Sequence, residues 1–289
     1  MQQMMDMESV DLKLHLQSGT LSKFRVDNLI IEPYTMNEIK EYGYSKYMEN
    51  LQWLMITIDD FINSVVDVEK KMMLMAEKSK LKIFDFYTVL GGNEFLEGLM
   101  TALTMVFKTD DIHYLKGEGI IVINFEKYGV IVFDEDGNMD FNKEALSALD
   151  EEDVQIVHRE NYDDLIKAIK IINYLEKLEA KKSDESNPAD EETKQLMEHM
   201  KKLNEKVEKI KKAQQMDEGE DDSFDLSDIV SAVTAKSNSM NKLNIWNHTL
   251  YQVYDEYARL ELIDNYEFSV KALMAGADKI DLKHWSSRL

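Results

Sequence analysis

The chain has 289 residues, no cysteine and a formal net charge of −22 at pH 7. Without thiols it forms no disulfide scaffold, thiolate zinc site or cysteine nucleophile, and so acidic a surface repels nucleic-acid phosphates and anionic membrane. With 44% apolar and 31% charged residues and only two prolines, Pro33 and Pro188, it reads as a folded, helix-rich protein.

The N-terminal stretch MQQMMDMESVDLKLHL has neither a basic head nor a continuous apolar run, so no secretory signal is expected. No uninterrupted apolar stretch approaches the roughly 20 residues that span a bilayer. Residues 1–20 read as a loose start in which DLKLHL alternates like a short strand, and Phe24, Val26, Leu29, Ile30 and Ile31 continue in extended style to Pro33. Thr35 followed by Glu38 is a T-x-x-E capping box. It opens a helix traced by Ile39, Tyr42, Tyr44, Tyr47, Met48, Leu51 and Leu54, which runs on or breaks near Thr57. From Asp59, Phe61, Ile62, Val65, Val66, Val68, Met72, Met73 and Met75 form a broad apolar face, so the two segments are expected to pack as a helical hairpin.

The stretch LKIFDFYTVL, 81–90, has the aromatic and β-branched richness of a strand, with a helix as the alternative. Gly91-Gly92 breaks the chain, and Asn93 is placed to cap a helix through Phe95, Leu96, Leu99, Met100, Leu103 and Phe107. The clearest β signal follows. Ile112 to Leu115 and Ile120 to Phe125 flank KGEG, and Val130 to Phe133 and Met139 to Phe141 flank a turn containing Asp136-Gly137, which together predict a small antiparallel meander. After a short helical bridge, Leu165, Ile166, Ile169, Ile172, Leu175 and Leu178 mark a helix from Tyr162 to Leu178.

Composition then shifts to KKSDESNPADEE, where Asn187-Pro188 and the acids after it form a helix start. Leu196, Met200, Leu203, Val207 and Ile210 follow at alternating spacings of four and three, a heptad seam on a charged helix. The acidic stretch MDEGEDDSFDLSD separates it from an aromatic head. There Trp246, Leu250, Val253, Tyr254, Tyr257 and Leu260 lie on one helical stripe, preceded by the polar run from Ser237 to Asn241. A second short helix from about Tyr266 to Met274 is expected to end at Gly276 in a left-handed cap, before Ile280, Leu282 and Trp285 close the chain. The expected fold is α+β and predominantly helical. Its domains are a helical domain with a small antiparallel β-meander (1–182), a polar linker with the charged tethered helix (183–224), and a C-terminal helical aromatic head (225–289).

No constellation of residues in the sequence carries catalytic chemistry. The acidic turn around Gly137 fails as an EF-hand, because the first and twelfth loop positions would be Val132 and Lys143. The six histidines (His15, His113, His158, His199, His248 and His284) are scattered singly, without an i, i+4 ligand pair, and read as structural. No nucleophile elbow, phosphate-binding loop or dinucleotide fingerprint occurs. The expectation is a non-enzymatic protein with no cofactor and no metal. The heptad helix reads either as packed on its own domain or as a docking helix on a tether. The aromatic stripe reads as core, or as a partner surface with Tyr251 and Trp285 at its rim, since interfaces are rich in Tyr and Trp. The candidate partner-binding residues are therefore Trp246, Tyr251, Tyr254, Tyr257 and Trp285, with Leu196, Met200, Leu203, Val207 and Ile210. Eighteen methionines also suit a surface that binds flexible apolar segments.

Several stretches carry a resemblance. NPADEE at 187–192, SAVTAKSNSMNKLNIW at 231–246, LYQVYDEYARL at 250–260, ALMAGADKIDLKHW at 272–285 and IIEPYTMNEIKEYGYSKYMENL at 30–51 resemble a poorly characterised protein group. Its members are encoded among the tail genes of long-tailed bacteriophages and prophages of Gram-positive bacteria. The shared patterns are packing patterns, not site signatures, and they imply no catalytic residues. What the resemblance implies is tail morphogenesis through contact with phage tail proteins, either as an assembly chaperone for the tape-measure protein or as a minor structural tail protein. The expected location is then the host cell cytoplasm, or the virion. An acidic nucleic-acid mimic that blocks a host DNA-binding protein is the rival reading from charge alone.

Overall fold

The computed structural model describes residues 2–65, 67–134, 139–150, 153–175, 225–276 and 282–287. The fold is α+β and predominantly helical, with small antiparallel sheets. The chain divides into two compact units, Met1–Asn173 with Lys242–Gln252, and Tyr174–Asn241 with Val253–Leu289.

In the first unit, helix α1 (Ser9–Gln17) stands where the alternation of DLKLHL predicted a strand. Only Leu16 of it is fully buried, so a single inward position, not an alternating face, is what this segment supplies. Strands β1 (Phe24–Val26) and β2 (Leu29–Ile31) form the expected extended segment as a tight hairpin, with Asp27 at φ +53 in its two-residue loop. Helix α2 (Met36–Tyr42) starts on the predicted capping box. Thr35 Oγ1 accepts from the Glu38 amide at 3.2 Å, and Glu38 Oε2 accepts from the Thr35 amide at 2.7 Å. The helix stops at Gly43, whose φ of +94 lies in the region that favours glycine, and α3 (Tyr44–Met55) begins in a new direction. The single helix expected over these residues is therefore two. Thr57 caps the next one, α4 (Ile58–Ser64), through a second box with Asp60, and α5 (Val68–Glu77) follows.

Residues 83–90 are helical, not extended: α6 (Ile83–Asp85) runs into a π turn at Phe86–Leu90. Tertiary packing overrides β propensity here. Phe86 packs tilted against Phe61 at 4.4 Å, Phe84 and Tyr87 reach Tyr162 at 5.4 and 5.9 Å, and Asp85 is held by Arg159 at 2.9 Å. Helix α7 (Asn93–Phe107) encloses Leu99, Ala102, Leu103, Met105 and Val106. Gly92, not Asn93, is its N-cap, and no side chain caps it. It packs closely on α3, because a Cβ on Gly98 would lie 2.6 Å from the Trp53 ring.

Strands β3 (Ile112–Leu115) and β4 (Ile120–Ile123) form the predicted hairpin over Lys116–Gly119, with Leu115 opposite Ile120. β5 (Ile131–Phe133) and β6 (Met139–Phe141) also pair as predicted, though their Asp136-Gly137 turn lies outside the described residues. The four strands do not make one meander. Asn124 at φ +62 and Gly129 at φ +70 turn the chain out of the sheet after β4. The third strand beside β4 is β7 (Gln155–Val157), which follows the short helix α8 (Lys143–Ser147) and had no clear sequence signal. Helix α9 (Tyr162–Ile172) is shorter than the predicted 162–178 helix: Asn173 caps its end and Tyr174, at φ +64, leaves the helical conformation, while Tyr162, Leu165, Ala168, Ile169 and Ile172 are buried. Its C-terminal end is tied to α3, where the Tyr47 hydroxyl donates to Asn173 Oδ1 at 2.6 Å.

The segment Lys242–Gln252 completes this unit. Ile245 is fully buried, the Met36 amide donates to the His248 carbonyl at 2.8 Å, and Lys40 Nζ sits 5.4 Å over the Trp246 ring.

The second unit holds α10 (Leu226–Lys236), started by an Asp225–Asp228 capping box, and most of α11 (Leu250–Met274). The two short helices expected in the head are this one 25-residue helix. Its cap, Thr249, lies eight residues after Asn241 and opens a T-x-x-Q box: the Gln252 amide donates to Thr249 Oγ1 at 3.3 Å, and Gln252 Oε1 accepts from the Thr249 amide at 3.0 Å. Gly276 has the expected left-handed conformation, φ +95. Within the unit, Ser237 donates to Glu256 at 2.5 Å, Lys236 pairs with Asp264, and Arg259 Nη1 donates to the carbonyls of Trp285 and Ser287 at 2.7 and 2.9 Å.

Candidate functional site

The residues expected to contact a partner fall in different surroundings. Trp246 precedes α11 instead of lying on it. It is half-buried, with its indole N–H donating to the Lys242 carbonyl at 3.0 Å. Tyr251, expected at a rim, is a core residue. Tyr254 stacks on Tyr174 at 5.7 Å with the rings nearly parallel, and Tyr257 is half-buried. Burial pushes the Tyr174 hydroxyl up to about 12, with Asp255 and Glu261 adding to the effect, so it stays neutral and donor-competent across the physiological range. Trp285 is the exposed member of the set, flanked by His284 at 5.4 Å, which itself meets Tyr266 edge-on at 5.2 Å. Leu196, Met200, Leu203, Val207 and Ile210 lie outside the described residues.

Among the described residues, exposed apolar side chains gather on helices of both units. In the second, Phe268 and Met274 on the last turns of α11 are 72% and 85% exposed, with Leu273, Leu282 and Trp285 also open to solvent. In the first, α5 presents Val68, Met72, Met73 and Met75, of which Met73 is 71% exposed, and buries only Leu74 among its described side chains. The sequence placed these residues on an apolar face and assigned that face to a helical hairpin. Phe61 and Ile62 do enter a core with Leu74 and Phe86, while the methionines stay outside it. Large exposed apolar groups in a row mark a contact surface. Methionine suits one that must fit irregular partners, because its side chain is unbranched and polarisable.

A polar network in the first unit links α2 to the end of α7. Lys108, at φ +53 after the last turn of α7, reaches Glu38 at 2.7 Å and sits 4.5 Å over the Tyr34 ring. Burial alone would raise the Glu38 carboxyl, but its bonds to Lys108 and to Thr35 outweigh burial and hold it below the usual range. Tyr34 is pushed up to about 12 by burial, then by Tyr42 and Glu38. The adjoining cavity holds about 20 Å³, room for a single water, and is lined by Tyr34, Tyr47, Leu51 and Asn173 among others. This network is a structural joint without space for a substrate.

Among the described residues, one group has the composition and spacing of a metal site: Asp111, His113 and Glu126, each offering a ligand atom within 4.8 Å of the others. Reading each histidine singly missed it. The recoverable signal was the Asp-x-His pair at the start of a strand, since i and i+2 side chains share a face.

Residues 211–289 match the family model of the YomV second domain, a phage-type domain. The match spans just over a quarter of the chain and includes both α10 and α11. This similarity places a phage-associated domain at the C-terminal end. Comparison with curated proteins and with solved structures gives no match. No helix among the described residues is long and apolar enough to cross a membrane.

Proposed function

We propose that the chain is a non-enzymatic bacteriophage protein that works in tail morphogenesis by protein–protein contact, as an assembly chaperone for the tape-measure protein. The observation that carries the reading is the uncovered methionine face of α5, which places Met72, Met73 and Met75 in water next to a well-packed core. Leaving such groups exposed has no folding benefit. A long apolar helix awaiting assembly would cover them, and methionine adapts to its uneven surface. The phage-type domain at 211–289 supports the setting, and the resemblance of 30–51 and 231–285 to tail-module proteins supports the step. Action takes place in the host cytoplasm.

The test is a tagged pull-down from phage-infected cells at low and moderate salt, with mass spectrometry of the eluate. The proposal expects tape-measure or tube proteins at both salts, because apolar contacts are not screened. A basic host protein lost at moderate salt would instead favour the nucleic-acid mimic that the −22 charge permits. Detection of the chain in purified virions would replace the chaperone with a minor structural tail protein.

A further inference from the structure

We propose that Asp111, His113 and Glu126 form a zinc-class divalent cation site that clamps the start of β3 to the turn after β4. His113 Nε2 lies 3.2 Å from Asp111 Oδ1 and 3.6 Å from Glu126 Oε2. Zinc–ligand bonds of about 2.0–2.1 Å at tetrahedral angles put neighbouring donor atoms about 3.3–3.4 Å apart. The two separations, 3.2 and 3.6 Å, bracket that value.

The imidazole is left wanting a partner. Its Nε2 is buried, yet no hydrogen bond satisfies it, although Asp111 Oδ1 lies 3.2 Å away. A buried polar nitrogen without a partner is costly, and an ion seated between the three groups would take it up. His113 is itself held in place, its ring packed 5.4 Å from Phe133.

The carboxylate opposite is also fixed in advance. Asp111 Oδ1 accepts from the Glu126 amide at 3.1 Å and Oδ2 from the Lys127 amide at 2.7 Å. The Asn124 amide donates to the Asp111 carbonyl at 2.8 Å, and the Asp111 amide donates to Thr109 Oγ1 at 3.2 Å. Such outer bonds orient a ligand for its metal. Glu126, with a half-exposed side chain, closes the set from the turn. One imidazole with two carboxylates favours zinc and its neighbours over magnesium or calcium, which take oxygen-only sets. Three protein ligands leave a fourth position for water.

The test uses the full chain, untagged and stripped with chelator, titrated with Zn²⁺ in millimolar Mg²⁺ so that the general acidity of the surface is occupied. The expected result is one Zn²⁺ retained per chain and a rise in melting temperature on loading. Glu126→Gln and His113→Asn should each weaken Zn²⁺ binding at least tenfold, with circular dichroism unchanged. Because Glu126 is half-exposed, its variant carries the test if the His113 variant does not fold. No zinc retained in the wild type, or zinc binding unchanged by Glu126→Gln, would overturn the site. The latter would assign the ion to the scattered histidines and acids elsewhere.

Discussion

Helices α7 and α5 of the first unit are both rich in methionine and aliphatic residues, and the structure treats them in opposite ways. α7 buries Leu99, Leu103, Met105 and Val106 and approaches α3 so closely that Gly98 has no room for a methyl group. α5 turns Val68, Met72 and Met73 to water and is tied into the core through Leu74. Composition separates them in part, since α5 carries Glu69, Lys70, Lys71 and Glu77 among its ten residues and α7 only Glu94 and Glu97 among fifteen. Packing separates them further: α7 has Gly98 where the Trp53 ring lies against it, whereas Val68, Met72, Met73 and Met75 of α5 stay exposed. The first helix is built into the core, and the second leaves its apolar side chains in water.

The largest effect should follow from breaking the buried side of this pair. Leu103 is completely enclosed, so Leu103→Ala should lower unfolding free energy by about 2–5 kcal/mol, read from urea denaturation. Gly98→Ala comes next. On an open helix this change would stabilise by up to about 1 kcal/mol, but here the new methyl group meets the Trp53 ring, and a net loss of about 1–3 kcal/mol is expected. A gain in melting temperature would show that α3 and α7 do not pack as described. A smaller, pH-dependent effect belongs to the joint between α2 and α7. The Glu38 carboxyl is held below its ordinary 4.5, so its contribution is present above that value and fades as pH falls through the lower folded value. Glu38→Gln should therefore narrow the difference in melting temperature between pH 7 and pH 3, with the gap between the two proteins greatest at pH 7.

Local signals in the sequence survived well. The Thr35 capping box, the β3–β4 hairpin over KGEG and the left-handed Gly276 are each set by a few adjacent residues, and each stands where those residues put it. Tertiary choices were less visible. LKIFDFYTVL has the composition of a strand, but three aromatic contacts and the Arg159–Asp85 pair make it helical. β7 is three residues long and takes its identity from β4 alone. In the aromatic head, the apolar stripe ran back through Trp246 and hid the start signal at Thr249 and Gln252. Tyr251 and Trp285, both read at the rim of the stripe, part company in the structure: the first is enclosed and the second, beyond the helix, is exposed. The exposure of the α5 methionines was equally hidden, because an apolar face looks the same in sequence whether or not something covers it.

The central claim is that this uncovered face is there for a partner. The most direct measurement compares the wild type with a Met72→Ser, Met73→Ser, Met75→Ser variant in capture of phage tail proteins from infected cells. Because the replaced groups are exposed, stability should change by no more than about 0.5 kcal/mol per site. The account predicts an unchanged melting curve and at least a tenfold loss of captured tape-measure protein at both salt concentrations. Undiminished capture by the folded variant would contradict it and remove α5 from the contact surface.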